Sequence, residues 1–532
     1  MTTPDARATA IAWDGDTIAV VGSDEEVQAW CDERGIAPEP LGGRAVIPGF
    51  VDAHTHFLHV GVKHSRPDLR GATSRDEALG RLMEWMAANP EGPVIAEGWD
   101  EGDWDGDAPP RRPDLDAIDA DRPIVMRRIC GHVAIANAAA LPIVRSRWDD
   151  DALVDDATGV LLEQPSLYLN EVLPVSPEGL DDALQAACRV AHRLGVTSLG
   201  DYSQAPYRAA LLRAAANGTL TVRVASSIYT QDLADEVAAG FRTAKPAPGP
   251  DGPSPWLQDG GLKVFLDGSL GGHTALLRER YCDHHGHGMP NWTPEEVMDW
   301  FTQAQAAGIQ VHAHAIGDGA IDLGLEAFDA VRQAVADGSD AQGPHDDDGS
   351  SEQASDAPAF DALRHRFEHY EIVHDDQVAR TAELGIVASS QPNFVGEWSA
   401  AGGMYEDRLG ERYRLNNRFQ TFRRAGVRLA FGSDGMPFGA LYGIQCAVDH
   451  PVPEERLTPQ DAVWHMTREA AWSLHMPDVG HLSPGAKADL LVLDVHEMTD
   501  KPPRRWALNE VISGGETRGS WDEPLEADLA PA

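Results

Sequence analysis

The sequence predicts a (β/α)8 barrel of the TIM type, with a subdomain inserted after the first strand and a small β-sandwich formed by both chain termini. Three observations carry this prediction. Eight apolar, strand-like runs alternate with helical stretches, at 46–53, 196–199, 221–226, 262–266, 309–314, 363–369, 386–389 and 427–431. Such alternation implies parallel βα units. The gap between the first and second runs far exceeds one helix and two loops, so an extra subdomain belongs there. Finally, both ends of the chain carry β-like segments outside the alternating region.

At the N-terminus, residues 11–22 alternate around Asp14-Gly15-Asp16, which reads as a hairpin with an Asp-Gly turn. A short helical stretch near 24–35 follows, and the first barrel strand then runs into two histidines. The insertion occupies about 65–185. Residues 336–358 are rich in Asp, Gly, Ser and Gln with almost no apolar side chain, and read as a mobile acidic loop. Near the C-terminus, 479–494 reads as a turn and a strand able to join the N-terminal hairpin. The expected domains are therefore 1–45 with 476–532 as the composite β-sandwich, and 46–475 as the barrel.

The chain has 532 residues, with 43 Lys and Arg against 85 Asp and Glu, for a formal net charge of −42. That field repels nucleic acid and anionic membranes, so neither is an expected partner. Only five of the basic residues are lysines. A surface of carboxylates and arginine fits a halophilic cytoplasm, where concentrated salt screens the self-repulsion. The five cysteines form no C-x-x-C pair, which argues against a disulfide framework or a thiolate zinc site and fits a reducing compartment. There is no basic segment leading into an apolar leader, and no run approaches the roughly 18 apolar residues of a membrane span. A cytoplasmic location is expected.

His54 and His56 stand at i and i+2 at the end of the first strand, so both rings can converge on one cation. Lys263, His312 with His314, His369 and Asp434 stand at the ends of the fourth, fifth, sixth and eighth strands. In a barrel all of these ends open onto one mouth. Imidazole suits zinc, nickel and iron, and a carboxylate such as Asp434 can touch a metal and accept a proton from water. Two divalent ions could be held if Lys263 supplied a bridging anion, which requires carbon dioxide to convert its amine to a carbamate; with a free Lys263 the histidines could hold one ion. The plainer alternative pairs Lys263 with Asp267 or another carboxylate. By strand alternation Glu368, beside His369, is expected to point away from the barrel axis and support packing.

Several motifs resemble those of the amidohydrolase superfamily, and within it amidohydrolase family 3, which includes N-substituted formamide deformylases. They are Pro-Gly-Phe-Val-Asp-Ala-His-Thr-His at 48–56, Leu-Lys-Val-Phe-Leu-Asp-Gly-Ser-Leu-Gly at 262–271, His-Ala-Ile-Gly-Asp at 314–318, Arg-Phe-Glu-His at 366–369, Gly-Ser-Asp at 432–434 and Pro-Gly-Ala-Lys-Ala-Asp-Leu at 484–490. The resemblance implies His54 and His56 on a more buried metal, zinc by expectation, and His314 and His369 on a more exposed one. Carboxylated Lys263 would lie between them, and Asp434 would be ligand and proton shuttle. His312 shares a strand face with His314, but the family pattern anchors on the histidine before Ala-Ile-Gly-Asp. The resemblance also places Trp99 and His132, in the insertion, near the substrate. His273 and Gly319 stand where the family usually shows arginine or a similar residue, and border the pocket.

The function these residues imply is metal-assisted hydrolysis of an amide-type C–N bond, an N-formyl group among the candidates, in a small molecule. Two rival readings exist. Lys263 could form a Schiff base in a lyase or aldolase, or the site could be a non-catalytic metal-binding scaffold. Oligomeric state is not legible in the sequence, although barrels with an appended β-domain often pair as homodimers.

Overall fold

The computed structural model describes residues 7–104, 106, 108–129, 133–167, 169–338 and 358–520. Most of the acidic loop, 339–357, lies outside the described residues. The chain divides into two compact units, Leu58–Ala187 and the remainder. Among the described residues no helix is long and apolar enough to cross a membrane.

The larger unit is built on eight parallel strands: β1 (Phe50–Thr55), β2 (Val196–Asp201), β3 (Arg223–Tyr229), β4 (Gly252–Phe265), β5 (Gln310–Ala315), β6 (Arg366–His369), β7 (Val387–Ser390) and β8 (Leu429–Phe431). Each strand from β1 to β8 pairs with the next in chain order. The ends of the series are drawn together where the Asp434 N–H donates to His54 O at 2.7 Å. This is the (β/α)8 barrel the alternating pattern predicts. β1, β2, β5, β6, β7 and β8 are buried along their whole length, as strands covered on both faces must be.

The first strand starts later than the sequence indicates. Val46–Pro48 belongs to another sheet, and β1 begins at Phe50. The switch occurs at Gly49, whose N–H donates to Asp489 O at 2.9 Å. A Cβ at Gly49 would lie 2.2 Å from Thr197 Oγ1, so a side chain there would hold the two segments apart. Residues 46–48, assigned above to the barrel, therefore belong to the terminal β-structure. β4 is also much longer than the run at 262–266, because its first half pairs antiparallel with Pro246–Gly249.

Val46–Pro48, Leu490–Leu493, Leu508–Ser513 and Glu516–Gly519 form a four-stranded antiparallel sheet. The hairpin Ala10–Asp14 with Thr17–Gly22 turns at Gly15, whose φ of 57° suits glycine. Ile18 from the hairpin and Leu490, Val492 and Ile512 from the sheet share one buried cluster. Both chain ends thus contribute to one apolar core.

The unit Leu58–Ala187 holds a five-stranded sheet in the order Val94–Trp99, Ile124–Arg128, Val133–Ala136, Val160–Leu162, Val154–Asp155. Arg75–Ala88 presents Ala78, Leu82 and Met86 to one buried cluster with Val94, Ala96 and Met126. Ile95, Val125 and Ala134, at alternate positions of the same strands, join a second cluster with Leu141 and Val144. The period-two pattern thus gives this sheet two apolar faces.

Candidate metal centre

β1 delivers His54, which is fully buried, and ends at Thr55, so that His56 is the first residue beyond the strand. Each ring is fixed through Nδ1. His54 Nδ1–H donates to Glu368 Oε2 at 2.6 Å, and His56 Nδ1–H donates to Tyr202 O at 2.7 Å. Both therefore present Nε2, and these atoms lie 3.5 Å and 3.1 Å from Asp434 Oδ1. A carboxylate or carbonyl holding the far nitrogen is the usual way a metal-binding histidine is oriented.

His314, at the end of β5, donates from Nε2 to Gly268 O at 3.0 Å. His369, ending β6, donates from Nδ1 to Gln391 Oε1 at 2.8 Å. The His369 ring centroid lies 4.4 Å from that of His314 and 4.9 Å from that of His54. Buried His54 Nε2 and His314 Nδ1 have no hydrogen-bond partner. Two orphaned buried nitrogens are costly unless something else satisfies them. His54, His369 and Asp434 each place a ligand-capable atom within 4.8 Å of the others. This donor set of imidazoles and carboxylate fits a divalent transition ion.

The structure separates the two histidines of β5. His312 Nδ1 lies 2.8 Å from the Tyr202 hydroxyl and its Nε2 lies 2.8 Å from Gln310 Oε1, so both nitrogens are occupied. His314 keeps Nδ1 free. His314→Ala is accordingly expected to lower bound metal by at least about half an equivalent per chain, whereas His312→Asn leaves the stoichiometry unchanged. Elemental analysis of the two variants checks this.

Lys263 is buried, with its Nζ 4.7 Å from the centre of the Tyr202 ring and 5.0 Å from that of Phe265. Burial pulls its amine down to about 8, so the neutral nucleophilic form is accessible near neutral pH. Asp267, its alternative partner, is engaged elsewhere: the carboxylate accepts from the N–H groups of Leu276, Ile316 and Gly317. Burial raises the Asp434 carboxyl, but the neighbouring His54 and His56 outweigh it and hold the group at about 2. Asp434 is therefore ionised at neutral pH.

Asp434 sits in the left-handed region, at φ 54°. Its turn is clamped from several sides. Asp52 accepts from Ser433 N at 2.9 Å and Ser433 Oγ at 2.5 Å, and Asn393 Nδ2 donates to Ser433 O at 2.8 Å and Met436 O at 2.5 Å. Gly432 allows the close approach, since a Cβ there would lie 2.5 Å from His54 N.

Glu368 requires a correction. It does not point away from the barrel axis but lies in the interior, fully buried. It accepts from His54 Nδ1, from Tyr202 Oη at 2.7 Å and from Arg366 Nε at 2.5 Å. Alternation counted from His369 requires an extended chain through that residue. His369 has φ 71° and Tyr370 has φ 51°, so the strand breaks at the histidine itself. Arg366 and Glu368 then share the inward face while His369 swings over the mouth. The charged residues Arg366 and Glu368 at i and i+2, flanking the apolar Phe367, are the available signal.

Trp99 is 1% exposed, in the core of the Leu58–Ala187 unit, and its indole N–H faces Met126 O at 3.3 Å. His132 lies outside the described residues. His273 is paired with Asp283 at 3.1 Å and packs near His284, 4.8 Å between ring centres. Gly319 lies in the first turn of the helix Asp318–Ala336 after β5, its N–H donating to Leu276 O at 2.9 Å.

Residues 41–518 match the model of the amidohydrolase family. The putative amidohydrolase YtcJ of Bacillus subtilis is 31% identical over 434 residues, covering 77% of this chain and 74% of that protein. An N-substituted formamide deformylase of Arthrobacter pascens is 26% identical, covering 92% and 91%. Among solved structures, an uncharacterized metal-dependent hydrolase from Pyrococcus furiosus superposes with a TM-score of 0.76 at 26% identity, covering 92% of this chain and 95% of that one.

Proposed function

This chain belongs to the amidohydrolase family, and from that premise we propose that it is a metal-dependent hydrolase that adds water across an amide-type C–N bond of a small molecule. The observation that carries the reading is the set of oriented imidazoles, each fixed through one nitrogen: His54, His56 and His369 beside an ionised Asp434, with His314 against His369. His54, His56, His314 and His369 would hold the metal, with Asp434 as a further ligand. Lys263, as its carbamate, would bridge two ions. A divalent ion held there, zinc by chemical preference, would supply Lewis acidity for a carbonyl and for a water whose pKa it would lower toward about 7.

The chain's own residues do the rest. Asp434 accepts a proton from the attacking water as the water oxygen bonds to the carbonyl carbon. The protonated Asp434 then gives that proton to the nitrogen as the C–N bond breaks, releasing a carboxylic acid and an amine. Glu368 and the Tyr202 carbonyl keep His54 and His56 in the tautomer that leaves Nε2 unprotonated.

Stripping the protein with a chelator and screening a panel of small amides, N-formyl amines among them, tests the reading. Hydrolysis is expected to fall at least about a hundredfold on metal removal and to return with zinc or another divalent ion. Turnover that survives complete removal contradicts it. Borohydride trapping of a carbonyl compound on Lys263 would instead favour the Schiff-base reading.

A further inference from the structure

β4 is buried at every position from Asp259 through Val264, and then ends on Phe265, which is 38% exposed. One exposed aromatic is ordinary on a protein surface. The position of this one is informative. Its ring centre lies 5.0 Å from that of His314 and 5.0 Å from Lys263 Nζ, directly beside the candidate metal centre. Tyr229, at the end of the neighbouring strand β3, holds its ring within 3° of parallel to Phe265, with 6.1 Å between centres. The Tyr229 hydroxyl donates to Tyr202 O at 2.9 Å, the same carbonyl that orients His56. That bond points the polar end of Tyr229 inward and locks the ring plane. Two parallel rings thus form a rigid aromatic surface continuous with the reacting centre.

We propose that Phe265 and Tyr229 form a stacking wall for a planar apolar substituent, so that the preferred substrates are aryl-bearing amides rather than small or purely aliphatic ones. This inference rests on the hydrolase reading for the identity of the scissile bond. The wall itself is a matter of binding. A rigid pair of rings at a site needs no rearrangement to receive a flat group, and aromatic pairs gain from stacking beyond the area they bury. Sites of this kind combine apolar walls with a few polar groups that fix orientation.

The test separates binding from turnover. Ketone isosteres, in which CH2 replaces the amide NH and no C–N bond can break, carry phenyl, cyclohexyl or methyl at the variable position. They are titrated calorimetrically into the metal-replete protein, with one series varied on the acyl side and one on the amine side. In one series the phenyl compound is expected to bind about tenfold or more tightly than methyl and about three- to tenfold more tightly than cyclohexyl. Phe265→Leu keeps apolar volume and removes the ring, so the phenyl-over-cyclohexyl preference disappears; Phe265→Tyr retains it. Equal binding of phenyl and cyclohexyl in both series, or a preference untouched by Phe265→Leu, overturns the wall. Turnover of the matching amides reads the other claim. Hydrolysis without aryl preference breaks the wall and leaves the hydrolase, and aryl preference without hydrolysis does the reverse.

Discussion

Replacing Asp434 by Asn is expected to lower kcat for amide hydrolysis by about 10²- to 10⁴-fold, the range of a lost general acid–base group. The fold should persist. The Asp434 turn is held by backbone and neighbouring groups, namely the bond from Asp434 N to His54 O, the Asp52–Ser433 pair and Asn393, and none of these uses the Asp434 carboxylate. Metal content is measured in the same preparation, so that a lost proton carrier is not confused with a lost ion. A metal-replete Asp434→Asn protein with near-wild-type rates removes Asp434 from the proton transfer.

The largest effect on stability is expected at Glu368. Glu368→Ala leaves the buried Arg366 guanidinium without its carboxylate and releases the Nδ1–H of His54. Breaking a buried pair by removing one partner costs about 3–5 kcal/mol. Glu368→Gln keeps an acceptor oxygen and should cost about 1–3 kcal/mol. Urea midpoints of the two variants distinguish these values. Burial raises the Glu368 carboxyl, but Arg366 and the nearby histidine and lysine outweigh it and hold the group at about 2, below its ordinary 4.5. A carboxyl with a depressed folded-state pKa stabilises the protein fully above 4.5, and that contribution is lost as pH falls from about 4.5 through about 2. Stability of the wild type should therefore drop more steeply across this window than that of Glu368→Gln. Parallel acid profiles would show that Glu368 is not held ionised by its partners.

Much of this architecture is legible in the residues. The barrel is visible because a parallel sheet covered by helices outside and by its own packed side chains inside needs near-continuous apolar strands, and their ends must share one mouth. His54 and His56 are visible because period-two spacing at the end of β1 brings both toward one cation. Three features escape that logic. Val46–Pro48 and Phe50–Thr55 read as one strand because only the close approach at Gly49 divides them. Glu368 falls on the wrong face when alternation is counted from His369, where the backbone has already turned left-handed. The choice between His312 and His314 depends on which nitrogen is already occupied, by Tyr202 and Gln310 in one case and by Gly268 in the other. Such partners come largely from distant parts of the chain and leave no local pattern.

The role of Lys263 joins the fold to the chemistry. Its amine is buried, lowered by that burial to about 8, and set among the histidines and Asp434, where a carbamate could bridge two cations. The most direct measurement is metal content per chain in protein purified with isotope-labelled bicarbonate, read together with the label on Lys263. The account predicts two divalent ions per chain and a labelled carbamate on that lysine. No bound ion, with an unlabelled Lys263, in protein equilibrated with zinc and bicarbonate would contradict it.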